Sequence, residues 1–348
     1  MKRELSGIEL LRFLCAMTVL IAHYQVFFAT GAWHQVDRSG YPLYAVLAPA
    51  YERGDWAVQF FWAISGFIFY YRYGRSVSEG KTGAREFAVR RFSRLYPLHF
   101  ATLVAVAIGQ YVYFIGHGTA FVTPDNNAKT FVSQLFFASN WFTSELSFNV
   151  QIWSISVEIL VYIAFFLIVR NLGFGPAVAI IAAMISWLLL ELAPKPFNHS
   201  VFECGIYFFF GGLVSLYHKA RPALPIAGAA MVLAIVSLLY GIIPMGTKPA
   251  LALALSCIVV FARTEHALLD RVAFLGNATY SSYLIHFPMQ LAMVVAIDAA
   301  GISRHLMMNV PALLLYLAFV VACSLIVYRW FEEPMQDYFR RVPAAQLG

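Results

Sequence analysis

Ten runs of predominantly apolar residues, most of them about 17 to 25 residues long, divide this chain, and they limit its fold more than any other feature. Their approximate bounds are 8–30, 56–71, 97–115, 152–169, 176–193, 200–217, 224–241, 249–262, 273–299 and 309–328. A helix rises about 1.5 Å per residue, so such a run matches the hydrocarbon core of a bilayer, roughly 30 Å thick. Within that core every backbone N–H and C=O must find its partner inside the segment. The expected fold is therefore an all-α polytopic membrane bundle of about ten transmembrane helices. A shorter apolar patch, Phe131 to Ala138, is expected to lie in the interface or to re-enter. Composition agrees, since 61% of residues are hydrophobic and 12% charged, against roughly a quarter charged in soluble domains. The chain reads as one membrane domain over 1–348, with no repeat, linker or appended soluble domain.

Lys2 and Arg3 precede the first run, but that run is too long for a signal peptide and carries Glu9, Arg12 and His23. The net charge of +6 is confined to particular loops, which excludes a nucleic-acid surface and makes the charge a topology signal. Counted loop by loop, seventeen of the 24 Lys and Arg residues fall on one side and six on the other, with Arg12 inside a span. Both termini and the 72–96 loop are expected on the cytoplasmic side. Cys15, Cys204, Cys257 and Cys323 lie in apolar runs with no metal-ligand spacing, so free buried thiols and no metal are expected.

Ionisable side chains inside a bilayer cost several kcal/mol, about 3 each on insertion scales, so each is a functional candidate. Arg12 and His23 are eleven residues apart, close to three turns, and share a helix face. Gln151, Ser154, Glu158 and Tyr162 form a second polar stripe flanked by Trp153 and Ser156. Counted from the same boundary, His23 and Glu158 fall at one depth and are expected to meet. Tyr283, His286 and Gln290 share a face of the ninth span. Arg90, Arg91 and Arg94 end the basic loop before Pro97, which is expected in the first turn of the third helix. This cluster suits either anionic lipid or a bound phosphate.

Together these residues resemble the membrane acyltransferase-3 family. The resemblance is carried by Arg12 to His23 in LRFLCAMTVLIAHY, by Arg91, Arg94 and Pro97 in RFSRLYP, and by FFWAISGF around Ser65 and Gly66. WSISVE from Trp153 to Glu158, FFFGG ending at Gly212, LGNATYSSYLIHFP with Tyr283 and His286, and EEP at Glu332 to Pro334 complete it. It runs from about residue 4 to 335. It implies transfer of an acyl group, commonly acetyl, from a cytoplasmic acyl-CoA to a sugar hydroxyl of an exopolysaccharide, lipopolysaccharide or similar envelope glycan. The implied location is the cell membrane, a bacterial inner membrane, with glycan-assembly proteins as partners. No cofactor is expected beyond the acyl-CoA substrate.

On this reading Arg12, Arg91 and Arg94 bind the donor's phosphates. His23 is general base or, alternatively, acyl-carrying nucleophile, and Glu158 orients or charges its ring. Ser65, Trp153, Ser154, Ser156, Tyr283 and His286 are expected to line the site. A proton-coupled transporter or flippase of a glycan or small polar molecule would use similar intramembrane charges and is the alternative.

Overall fold

A computed structural model of the chain describes residues 5–28, 38–193, 198–220, 223–239, 247–264 and 266–341. Lys2, Arg3, Lys195, Arg221 and the last residues of the first apolar run lie outside them. The described residues form helices and no strands. Helix α1 is Ser6–Tyr24, extended by a 3₁₀ turn over Gln25–Phe28; α2 is Tyr44–Glu52. Helix α3 is Gly54–Phe69 and runs on through a π turn, Tyr70–Gly74, to Ser78. Next come α4, Ala84–His117; α5, Ala128–Leu135; α6, Ile152–Leu172; α7, Pro176–Leu192; and α8, His199–Tyr217. Helices α9, Ala223–Leu239, and α10, Thr247–Arg263, precede the short α11, Ala267–Val272. The described residues close with α12, Thr279–Ala299, and α13, Val310–Val327, which continues through a second π turn, Tyr328–Glu332, into α14, Glu333–Arg341.

Among the described residues each apolar window is largely helix, but six helices are individually long and apolar enough to cross a membrane: the segments Ser6–Phe28, Ala84–His117, Ile152–Leu172, His199–Tyr217, Thr279–Ala299 and Val310–Arg341. The bent pair Pro249–Arg263 and Ala267–Asn277 makes a seventh if it counts as one span. Helices α7 and α9 are shorter, and α3 reaches its full length only by continuing through Arg72. The ninth window does not form one helix, because it breaks at Ala278 before α12 begins.

The basic segment departs furthest from expectation. Residues 84–96 are helix, and Pro97 sits well inside α4 rather than in its first turn. A proline there removes one N–H, but a spanning helix tolerates it where neighbours satisfy the freed carbonyls. The carbonyl that loses its helical donor is that of Ser93, four residues back; Leu95 and Leu98 are buried on either side of Pro97, and the Tyr280 hydroxyl donates to the Leu95 carbonyl at 2.5 Å, tying this stretch to α12. Continuous helix also sorts the arginines by face. Arg90 is exposed and pairs with Glu86, whereas Arg91 and Arg94, three residues apart, both turn inward.

The Phe131 to Ala138 patch covers the end of α5 and the three residues after it, and the start of α5 is held by a capping box between Asn127 and Thr130. Gln134, Asn149, Thr102 and His99 then tie this region to α4 through buried hydrogen bonds.

Helices α3 and α8 cross at close range. A Cβ added at Gly66 would strike the Phe208 carbonyl, and one at Gly211 would strike the Ala63 carbonyl. Small residues therefore let the two backbones touch, as in many membrane helix pairs. Apolar packing forms two clusters. One surrounds Trp62, Phe67, Ile155 and Phe208, and the other surrounds Tyr24, Leu103, Phe287 and Tyr316. Outward faces carry Ile108, Ile185, Leu315 and Phe319, as suits contact with lipid.

Candidate active site

A cavity of about 920 Å³, its open mouth included, lies among α1, α3, α4, α6 and α12. It is lined by four arginines, Arg12, Arg72, Arg91 and Arg94. Each has a local reason to be there. Arg12 stands one turn after Glu9 and donates to its carboxylate at 2.7 Å, which holds the guanidinium against the helix. Arg91 donates from Nη2 to the Tyr73 hydroxyl at 2.7 Å and lies over the rings of Phe69 and Tyr73, 4.9 and 5.0 Å from their centroids. Arg94 sits in the field of Glu332 and Glu9. Arg72 belongs to the π turn and is exposed at the mouth.

The other walls are mixed: Val58, Phe61, Ile64, Ile68 and Ile155 are apolar, and Ser65, Ser154, Thr279 and Tyr283 add hydroxyls. Glu158 is buried here, flanked by the hydroxyls of Ser65 and Tyr162 and facing Arg91 and Arg94. Four buried polar atoms of the lining residues have no hydrogen-bond partner: Trp62 Nε1, Arg91 Nε, Glu158 Oε1 and Thr279 Oγ1. Folded proteins rarely leave such atoms unsatisfied, because each costs about 1–3 kcal/mol. These four atoms face one cavity and are open to hydrogen bonding by a polar ligand there.

His23 and Glu158 do not meet. Helix α12 stands between them, bonded to α6 on one side and to α1 on the other. Tyr283 Oη lies 2.6 Å from Ser154 Oγ and donates to the Gln151 carbonyl at 3.1 Å. One turn along, His286 Nε2 lies 2.9 Å from His23 Nδ1, and Gln290 Nε2 donates to the His23 carbonyl at 2.8 Å. The expected carboxylate–imidazole pair is thus replaced by two histidines, and Glu158 belongs with the arginines.

Among the remaining candidates, Ser65, Ser154 and Tyr283 line the cavity. Trp153, Ser156 and His286 do not. Trp153 packs edge-on against Trp62, with ring centroids 5.8 Å apart. Ser156 donates to the Phe137 carbonyl at 2.7 Å and accepts from the Asn140 backbone N–H, so it fastens the segment after α5. The sequence reading missed Arg72 as a site residue. Its signal was a spacing of seven from Ser65, two helical turns along one face.

A family model described as an acyltransferase domain matches residues 5–329. No curated protein and no solved structure matches the chain.

Proposed function

The chain belongs to this membrane acyltransferase family, and from that premise we propose that it transfers an acyl group, acetyl in the simplest case, from acyl-CoA to a sugar hydroxyl of an envelope or exported glycan. The observation that carries the donor assignment is that Arg12, Arg72, Arg91 and Arg94 all line one cavity, together with the apolar side chains of Val58, Phe61, Ile64, Ile68 and Ile155. Guanidinium groups form paired hydrogen bonds to phosphate oxygens. The nucleotide phosphates of the donor suit these arginines. Its uncharged pantetheine arm suits the apolar walls, where Trp62 Nε1 can donate to an amide carbonyl and Glu158 Oε1 can accept an amide N–H.

His23 is the base in this reading. The imidazole takes the proton of the sugar hydroxyl while that oxygen attacks the thioester carbon. The C–S bond then breaks, and the coenzyme leaves as a thiolate that recovers the proton. Tyr283 and Ser154 form the wall between the cavity and the histidine pair, so their contact must open for the thioester to reach His23. The placement in a bacterial cell membrane, with the arginines toward cytoplasmic acyl-CoA, rests on the loop charge asymmetry and the family resemblance. Involvement of glycan-assembly proteins as partners rests on the resemblance alone.

The test is acyl-CoA binding to purified protein, followed by comparison of envelope glycans, by mass and proton NMR, from cells with and without the protein. Saturable binding, weakened about tenfold or more in Arg91→Ala and Arg94→Ala, and an acyl group missing from one glycan are expected. Binding unaffected by both arginine changes would remove the phosphate assignment.

A further inference from the structure

We propose that His286 is a positioning residue that fixes which nitrogen of His23 is free to act as the base, an inference that deepens the reading of His23 given above. The argument follows the hydrogen atoms along three contacts. His286 Nδ1 lies 3.0 Å from the Ser282 carbonyl. A carbonyl only accepts, so His286 Nδ1 carries the hydrogen. In a neutral imidazole the other nitrogen is then bare, which makes His286 Nε2 an acceptor. The partner at 2.9 Å, His23 Nδ1, must therefore be the donor. It follows that neutral His23 has its hydrogen on Nδ1 and its lone pair on Nε2, the nitrogen pointing away from α12.

Ring geometry supports a hydrogen bond rather than a stack. The two imidazole planes are only 13° from parallel, and their centroids are 5.0 Å apart. That separation is the N···N distance plus about two ring radii, so the rings meet edge to edge with the lone pair of one aimed along the N–H of the other. Burial fixes the arrangement further. His286 is fully buried, whereas His23 keeps part of its surface exposed. Gln290, one turn after His286, holds the His23 backbone by its carbonyl. Ring and backbone of His23 are thus braced by the same helix.

The choice of partner has a physical reason. In soluble enzymes the base histidine is often oriented by a carboxylate, which adds a charge. In the interior of a membrane bundle an extra carboxylate is costly to bury. A neutral imidazole acceptor orients the ring without that charge. Once His23 has taken the substrate proton on Nε2, its Nδ1–H remains bonded to His286, which spreads the new positive charge over two rings.

Two measurements decide the proposal. Nitrogen-15 NMR of histidine-labelled resting protein, with signals assigned through His286→Gln and His23→Gln, should give a protonated Nδ1 and a bare Nε2 on both rings. A His23 protonated on Nε2 would overturn the assignment. This arm needs no turnover, so it stands or falls separately from the acyl-transfer reading.

In steady-state kinetics, His286→Met removes the acceptor. It should lower kcat by about a hundredfold while leaving the donor KM within about twofold. His286→Gln places an amide oxygen where Nε2 accepts, and it should recover most of that loss. Full activity in His286→Met would refute the role, as would a Gln variant as impaired as the Met variant, because a contact that merely ties α12 to α1 gives no reason for selective rescue.

Discussion

Glu158 faces guanidinium groups and His23 faces an imidazole, and this difference separates the consequences of replacing them. His23→Ala should reduce transfer by a hundredfold or more, about the contribution of a general base. Donor binding should survive, since His23 does not line the arginine cavity. Glu158→Gln should also lower turnover, because it removes the carboxylate that faces Arg91 and Arg94. It should leave the acidic limb of the kcat/KM profile in place, since no contact carries its charge to His23. Recording that profile for both the wild type and Glu158→Gln checks the point, and a limb displaced to lower pH would mean that the two groups communicate. The sequence revealed which residues were costly to bury: Arg12, His23, Glu158 and His286 were each visible as intramembrane polar groups. It did not reveal their pairing. Depth along a helix is legible from residue counting, but which helix lies between two others is a property of lateral packing, and the 1.5 Å rise holds no information on it.

The glycines of α3 and α8 set how closely two helices can approach, which gives the motif residues Gly66 and Gly211 a mechanical meaning. Gly66→Val forces a side chain onto the Phe208 carbonyl, which must move with its helix. Overpacking of this kind costs typically 1–3 kcal/mol. The variant should therefore unfold at lower temperature in detergent and, because Ser65 is carried on the same helix, should lose donor affinity as well. A thermal midpoint equal to that of the wild type would show that the crossing can relax. Elements were legible to the extent that apolarity marks them. Among the described residues all ten windows are largely helical, yet their lengths were misjudged wherever polar residues continue a helix, as at Arg72 in the π turn and along residues 84–96. Charge reads as loop in a sequence, whereas a helix that projects beyond the lipid carries charge without breaking. Pro97 misled for a related reason, since its local preference is overridden by buried neighbours on both sides.

Across the whole molecule the charge asymmetry predicts opposite exposure of the turn before α4 and the start of α5. Helix α4, with 34 residues, is about 51 Å long, enough to separate them by a bilayer. Cysteines placed at Lys81 and Lys129, both exposed, should react with an impermeant reagent from opposite faces of the membrane. The four native cysteines are free thiols, two of them buried, and a variant lacking all four gives a clean background. Reaction of both sites from the same face would exclude α4 as a complete crossing. The gathering of Arg12, Arg72, Arg91 and Arg94 in one cavity bears on how the reaction responds to an energised membrane. Moving one elementary charge through the full field takes about 2.3 kcal/mol per 100 mV. If the phosphates stop at the arginines and only the neutral arm reaches inward, the donor carries no charge across that field. Donor affinity in sealed vesicles should then be the same with and without an imposed electrical potential.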